Sequence, residues 1–225
     1  MIKLKHEDNN VKIIEYMKNG KLEKIRYEGN PVKTIKYFKD GNWEIYRDSL
    51  KAGHNNRKFL IRKYFEKKIN IAIGLANLNK EDKILDFGCG AGALKHKLRS
   101  EGYTVTGYDI TPDYSDIKDY TAYKPTKIFA MDVFEHMFIE DINLVIKNYK
   151  KMSPKFDIVV SIPIEGKIYK TIRKLAGKLS LDPGHITSFK EIKSLLDREF
   201  KYIKSKNLIN LSYIGVWRWN NSSND

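Results

Sequence analysis

A single cysteine, Cys89, stands in the 225 residues. One thiol can form neither an internal disulfide nor a cysteine metal cluster. Long apolar runs are missing as well. No stretch approaches the ~18 consecutive apolar residues of a membrane-spanning helix, and the opening MIKLKHEDNN lacks the apolar core of a secretory signal. The expected setting is cytoplasmic. Glutamine is absent, while lysine, asparagine and isoleucine are abundant, a usage that follows from an AT-rich genome. That bears on the net charge of +14. Such a charge suits a polyanionic partner, nucleic acid or an acidic membrane surface. The lysines, however, are spread over every segment, with no dense basic cluster or RNA-reading signature. Nucleic acid is therefore not the favoured partner.

What is present reads as a soluble globular chain, 41% hydrophobic and 31% charged, long enough for one sizeable core and a small appendage. In the first ~50 residues YMKNGKLE (16–23) recurs as YFKDGNWE (37–44). Asn-Gly and Asp-Gly between β-rich runs signal two-residue hairpins, because both turn residues need positive φ. The reading is a module over 1–50 of two tandem hairpins joined near Asn30-Pro31, with Ile35, Tyr37, Trp43 and Ile45 on one face. Two hairpins are marginal alone. The module is expected to pack on the main domain or on a second copy, giving a homodimer.

From residue 51 the pattern changes. HNNRKFLIRKYFEKKINIAIGLAN (54–77) predicts a helix with Phe59, Leu60, Tyr64, Ile71 and Leu75 towards a core. KILDFG, YTVTGYDI, TKIFAMD and FDIVVSIP are apolar runs of strand length, with helical patterns after the first and third. Alternation of this kind predicts an α/β, Rossmann-like, doubly wound and mostly parallel sheet over 51–225. KYIKSKNLI and LSYIGVWRW predict an antiparallel C-terminal edge.

Ligands of open α/β sheets bind at the carboxyl ends of the strands, which puts ILDFGCGAGA (84–93) at the centre. Gly88, Gly90 and Ala93 fit the fingerprint that cradles a dinucleotide pyrophosphate. They equally fit a loop for a cationic ligand. Asp86 separates the two. A carboxylate about 5 Å from a pyrophosphate charge costs about 3 kcal/mol at an effective dielectric of 20, whereas it attracts an ammonium or sulfonium group. The loop favours a cationic ligand.

ILDFGCGAG resembles the first motif of class I S-adenosylmethionine-dependent methyltransferases. That resemblance implies S-adenosylmethionine as cofactor, with Asp86 facing its methionine end and Gly88, Gly90 and Gly92 admitting it closely to the backbone. Asp109, twenty-three residues after Asp86 at the tip of the second strand, matches the family's ribose-binding acid. FAMDVFEHM (129–137) resembles the fourth-strand segment of the small-molecule branch. Asp132, counted with the cofactor-binding residues, and the Glu135-His136 pair would line the cavity where the methyl group meets its acceptor, and His136 would take a proton from an acceptor hydroxyl. DPGHITSFKEIKSLL (182–196) makes His185 a second substrate-side candidate. Before it, Lys167, Lys170, Lys174 and Lys178 share one side of an expected helix, either a solvated face or a lid over an anionic acceptor.

One segment departs from the family. Between Asp109 and Asp132 there is no room for a helix, a third strand and the fourth strand, so the third strand is expected as a stub at 117–120. Asp119 is then the candidate for the adenine contact. No metal ligands are assigned. The expected activity is methyl transfer to an oxygen or nitrogen of a small-molecule or sugar-containing acceptor. Two alternatives stay open, a tRNA or rRNA methyltransferase and a non-catalytic binding protein that keeps the fold.

Overall fold

The computed structural model describes residues 62–164 and 185–221 in full, and the backbone alone of residues 57–61 and of strands within 2–45. Those strands are β1 (Ile2–Glu7), β2 (Val11–Lys18), β3 (Lys21–Glu28), β4 (Thr34–Lys39) and β5 (Asn42–Ile45), antiparallel in the order β1-β2-β3-β4-β5. Residues 19–20 and 40–41, where the Asn-Gly and Asp-Gly turns are expected, lie outside the described residues, as do the lysines of 165–184.

After α1 (Arg57–Ala76) comes the alternation read from sequence. It runs β6 (Lys83–Phe87), α2 (Ala93–Ser100), β7 (Thr104–Tyr108), β8 (Lys127–Met131), α3 (Ile139–Met152) and β9 (Lys155–Pro163). Then follow α4 (Phe189–Glu199), β10 (Lys201–Leu208) and β11 (Ser212–Asn220). The second sheet has the order β10-β11-β9-β8-β6-β7. β6 to β9 are parallel, and β11 returns antiparallel between β9 and β10. The fold is thus an α/β, Rossmann-like mixed sheet whose antiparallel C-terminal part is a pair of strands.

Strand periodicity of two sorts the core into two layers. Leu85, Phe87, Ile128, Ala130, Ile158 and Val160 pack with α3 and α4 residues such as Tyr149, Ile146, Ile192 and Leu196. Ile84, Phe129 and Val159 face the other way, onto Ala72 and Ala76 of α1 and Leu94 and Leu98 of α2. Asp86 follows Ile84 by two and therefore points into the α2 layer.

Tyr64, Ile71 and Leu75 of α1 are half-buried against the α2-side core as expected, while the side chains of Phe59 and Leu60 lie outside the described residues. The fully buried line of the helix is Lys68, Ala72 and Ala76, spaced by four. One expectation needs correction. The stub at 117–120 is not a strand. Residues 112–114 form a 3₁₀ turn and the chain then bends without pairing, which leaves β7 as the sheet edge. Asp116 caps that edge. Its N–H donates to the Gly107 carbonyl (2.9 Å) and its carboxylate accepts the Gly107 N–H (2.7 Å), so a single residue satisfies both exposed groups.

Candidate functional site

The loop after β6 is tied down by its own backbone. Gly88 and Cys89 both donate N–H to the Tyr108 carbonyl (2.7 and 3.0 Å), and Gly90 donates to Asp109 Oδ2 (2.8 Å). Thr111 donates to Asp109 Oδ1 (2.9 Å), so the Asp109 carboxylate bridges the loop and the chain leaving β7. Gly88 is required twice over. Its φ is +72°, and a Cβ there would lie 2.5 Å from Val133 Cγ2. The same contact shows that the turn after β8 packs directly on the glycine loop.

Beneath the loop lies Asp86, 2% exposed. It accepts the Lys95 N–H in the first turn of α2, but its Oδ2 has no partner. Burial pushes its carboxyl up to about 7, against the pull of the Lys95 N–H and ammonium. An unpartnered carboxylate oxygen beneath the glycine loop fits a ligand with a cationic centre, since a positive charge nearby stabilises the ionised form. Cys89 is not a nucleophile. Burial, with Asp86 adding to it, raises its thiol to about 12, and its Sγ lies 3.3 Å from the Tyr114 carbonyl.

Asp132 follows β8 with φ at +56°, uncommon for a residue other than glycine. Its N–H donates to the Ser161 carbonyl, and Ser161 Oγ donates back to Asp132 Oδ1 (2.6 Å). The other carboxylate oxygen receives the ammonium of Lys68 from α1. Lys68 is buried, with its ammonium 4.5 Å from the Phe65 ring centroid. Nearby, the Tyr64 hydroxyl meets Ser212 Oγ at 2.5 Å. Sequence reasoning missed Lys68 because it seeks apolar residues on a buried face. The signal was Tyr64, Ala72 and Ala76, spaced by fours and eights around it, which place position 68 inside.

The left-handed step at Asp132 turns the chain into a 3₁₀ turn over Phe134–His136. Glu135 is buried at 2% exposure, and its backbone carbonyl accepts the N–H groups of Ile186 (2.7 Å) and Thr187 (3.3 Å). Thr187 Oγ1 also donates to the Met137 carbonyl (2.6 Å). These bonds clip 185–187 to the turn and bring His136 and His185 together, ring centroids 5.5 Å apart. Nε2 of His136 lies 3.9 Å from Oε1 of Glu135. Asp119 is exposed in its own turn, with its carboxylate on the Thr121 N–H (2.8 Å) and hydroxyl. Those bonds lower its pKa.

Basic residues gather at the opposite end of the sheet. Lys155, Arg198, Lys201 and Arg218 line an open groove of about 530 Å³ with Phe200 and Trp219. Lys155 begins β9, whereas the glycine loop and the histidines follow the carboxyl ends of β6 and β8.

The sequence matches the family described as methyltransferase domain over residues 56–198, well over half of the chain. No curated protein matches it. Among solved structures it resembles magnesium protoporphyrin IX methyltransferase from Synechocystis PCC 6803, solved with S-adenosylhomocysteine (SAH) bound. There the identity is 17%, the TM-score 0.55, and the match covers 78% of this chain and 91% of that one. The PH0226 protein of Pyrococcus horikoshii OT3 matches at 16% identity and TM-score 0.54, over 72% and 92% of the two chains. A SAM-dependent methyltransferase from Archaeoglobus fulgidus matches at 15% identity and TM-score 0.51, over 73% and 100%. The chain belongs to the methyltransferase-domain family, as an enzyme that depends on S-adenosylmethionine.

Proposed function

We propose that this domain methylates an oxygen or nitrogen of a small-molecule or sugar-containing acceptor. The observation that supports the reading is the packing of Val133, in the turn that leads to His136, on the glycine loop at Gly88, with His185 beside His136. S-adenosylmethionine, when bound, supplies an electrophilic methyl group. The chain's own residues do the rest. Asp86 attracts the cationic end, and Asp109, with one backbone donor on each oxygen, keeps lone pairs for ribose hydroxyls. His136 and His185 orient the acceptor, and positioning alone accounts for a large share of the rate when the acceptor is already nucleophilic. Asp132 acts from behind, fixing the turn through Lys68 and Ser161.

A small acceptor suits the placement of charge. Among the described residues, the basic groove with its aromatic residues lies at the far end of β9, about 27 Å away along a nine-residue strand. The fold is also one on which a magnesium protoporphyrin IX methyltransferase is built. The division into a module over 1–50 and a methyltransferase domain over 51–225 belongs to the same proposal, since the family match begins at 56.

The test is transfer of labelled methyl from S-adenosylmethionine into fractionated cell extract, with and without ribonuclease. Label in a low-mass, ribonuclease-resistant compound is the expected result. Label that vanishes with ribonuclease would replace this reading by an RNA acceptor. Cofactor binding without transfer to any fraction would leave a binding module.

A further inference from the structure

We propose that Glu135, His136 and His185 form a binding site for a divalent first-row transition-metal ion. One ligand atom from each, a carboxylate oxygen and two imidazole nitrogens, lies within 4.8 Å of the others. Ligands held about 2.1 Å from a tetrahedral ion sit about 3.4 Å apart, so modest side-chain rotation closes the set. The three residues come from two segments that the sequence separates by some fifty positions. What joins them is specific: the Ile186 and Thr187 N–H groups on the Glu135 carbonyl, and the Thr187 hydroxyl on the Met137 carbonyl.

Three features mark the cluster as built. The Glu135 carboxylate is buried, at 2% exposure, with its Oε1 3.9 Å from His136 Nε2, so it faces the imidazoles and not solvent. The turn that presents it depends on a left-handed residue, Asp132, and that conformation is itself held by Ser161 and by the buried Lys68. The His136 side chain is one third exposed and His185 nearly buried, so among the described residues the cluster is reached from the His136 side. Two imidazoles and one carboxylate select borderline ions such as Zn²⁺, Co²⁺ or Fe²⁺, whereas Mg²⁺ and Ca²⁺ prefer oxygen donors.

The role of the ion rests on the methyl-transfer reading, while its binding does not. A hydroxyl bound to such an ion releases its proton to bulk water far more readily than a free one, as zinc-bound water does at about pH 7. The acceptor would then be presented as an oxyanion. His136 and His185 would serve as ligands, and no general base would be needed. This favours an oxygen acceptor over nitrogen.

The experiment uses the full chain, stripped with chelator, dialysed and titrated with Co²⁺. The expected result is one equivalent bound, with a visible ligand-field band that equimolar Zn²⁺ abolishes. His136→Gln and His185→Gln should each weaken Co²⁺ binding at least ~10-fold, with circular dichroism reporting an intact fold. His6, His54 and His96 remain in both variants, so the loss reports this site. Glu135→Gln should do the same, and if it fails to fold the two histidine variants carry the test. Absence of a band at millimolar Co²⁺, or a band that survives both histidine substitutions, would overturn the site. Calorimetry with S-adenosylmethionine on the same stripped protein keeps the two readings apart. Cofactor binding without Co²⁺ binding removes the metal site and leaves methyl transfer standing. Co²⁺ binding without cofactor binding keeps the site and removes the role given to the ion.

Discussion

The ammonium of Lys68, on the helix that precedes the sheet, is held by the carboxylate of Asp132 at the carboxyl end of β8, sixty-four positions later. This pair locks α1 onto the turn that carries His136. It also explains a charged residue on the buried line of α1, where only apolar side chains would be expected.

Removing one partner should therefore cost more than removing both. Asp132→Asn leaves a buried ammonium without its counter-charge, and a loss of about 3 kcal/mol of stability is expected. Lys68→Met keeps the aliphatic stem and leaves Asp132 to Ser161 and solvent, so a smaller loss follows. The double variant should cost clearly less than the sum. Urea denaturation of the four proteins reads the coupling, and strict additivity would show that the pair is not energetically linked.

Asp86 gives a pH dependence of known sign. Its carboxyl titrates at about 7 in the folded chain against 3.8 unfolded, so the native state holds the extra proton between those values. Its ionisation penalty is absent below about pH 4 and complete above about 7, and this residue makes stability fall as pH rises across that window. Asp86→Asn should stabilise the cofactor-free protein at pH 8 by roughly 2–4 kcal/mol and have little effect at pH 4. The same variant should weaken S-adenosylmethionine binding at least ~10-fold, because the cationic end loses its carboxylate. In the unsubstituted protein, cofactor affinity should rise with pH through about 7. Calorimetry across pH 5.5–8.5 checks both trends.

Gly88→Ala should lose about 1–2 kcal/mol from the left-handed backbone alone, and more from the collision with Val133. Val133→Ala added to it should recover the collision part and leave the backbone part. Thermal unfolding and cofactor affinity measured on both variants separate the two, and no rescue at all would mean that the turn and the loop are not in contact.

At the other end of the sheet, Asp157 holds Arg218 (2.7 Å) and Lys127 (2.8 Å). Burial raises its carboxyl, but the hydrogen bonds and charges of Arg218 and Lys127 outweigh it, and the pKa is lowered. The stability this contributes is present above the unfolded pKa of 3.8 and is lost as pH falls through the lower folded value. Asp157→Asn should cost about 1–3 kcal/mol at pH 7 and much less at pH 2–3, read from urea midpoints. Equal losses at both pH values would argue against the ion pairs.

By itself the sequence determined the α/β alternation, because strand and helix periodicities are local. It also determined the glycine loop and the acid beneath it, because φ > 0 and a charge at a strand end are written in single residues such as Gly88 and Asp86. It could not reveal what a tertiary contact decides. Tyr120 and its neighbours looked like a strand stub until Asp116 folded back to cap β7. The partner of Lys68 was equally hidden, because Asp132 reaches it only in the fold. Glu135, His136 and His185 were each legible as candidates, but the distance that joins all three was not. That distance depends on backbone hydrogen bonds between segments some fifty residues apart. Only the folded chain brings those donors and acceptors into reach.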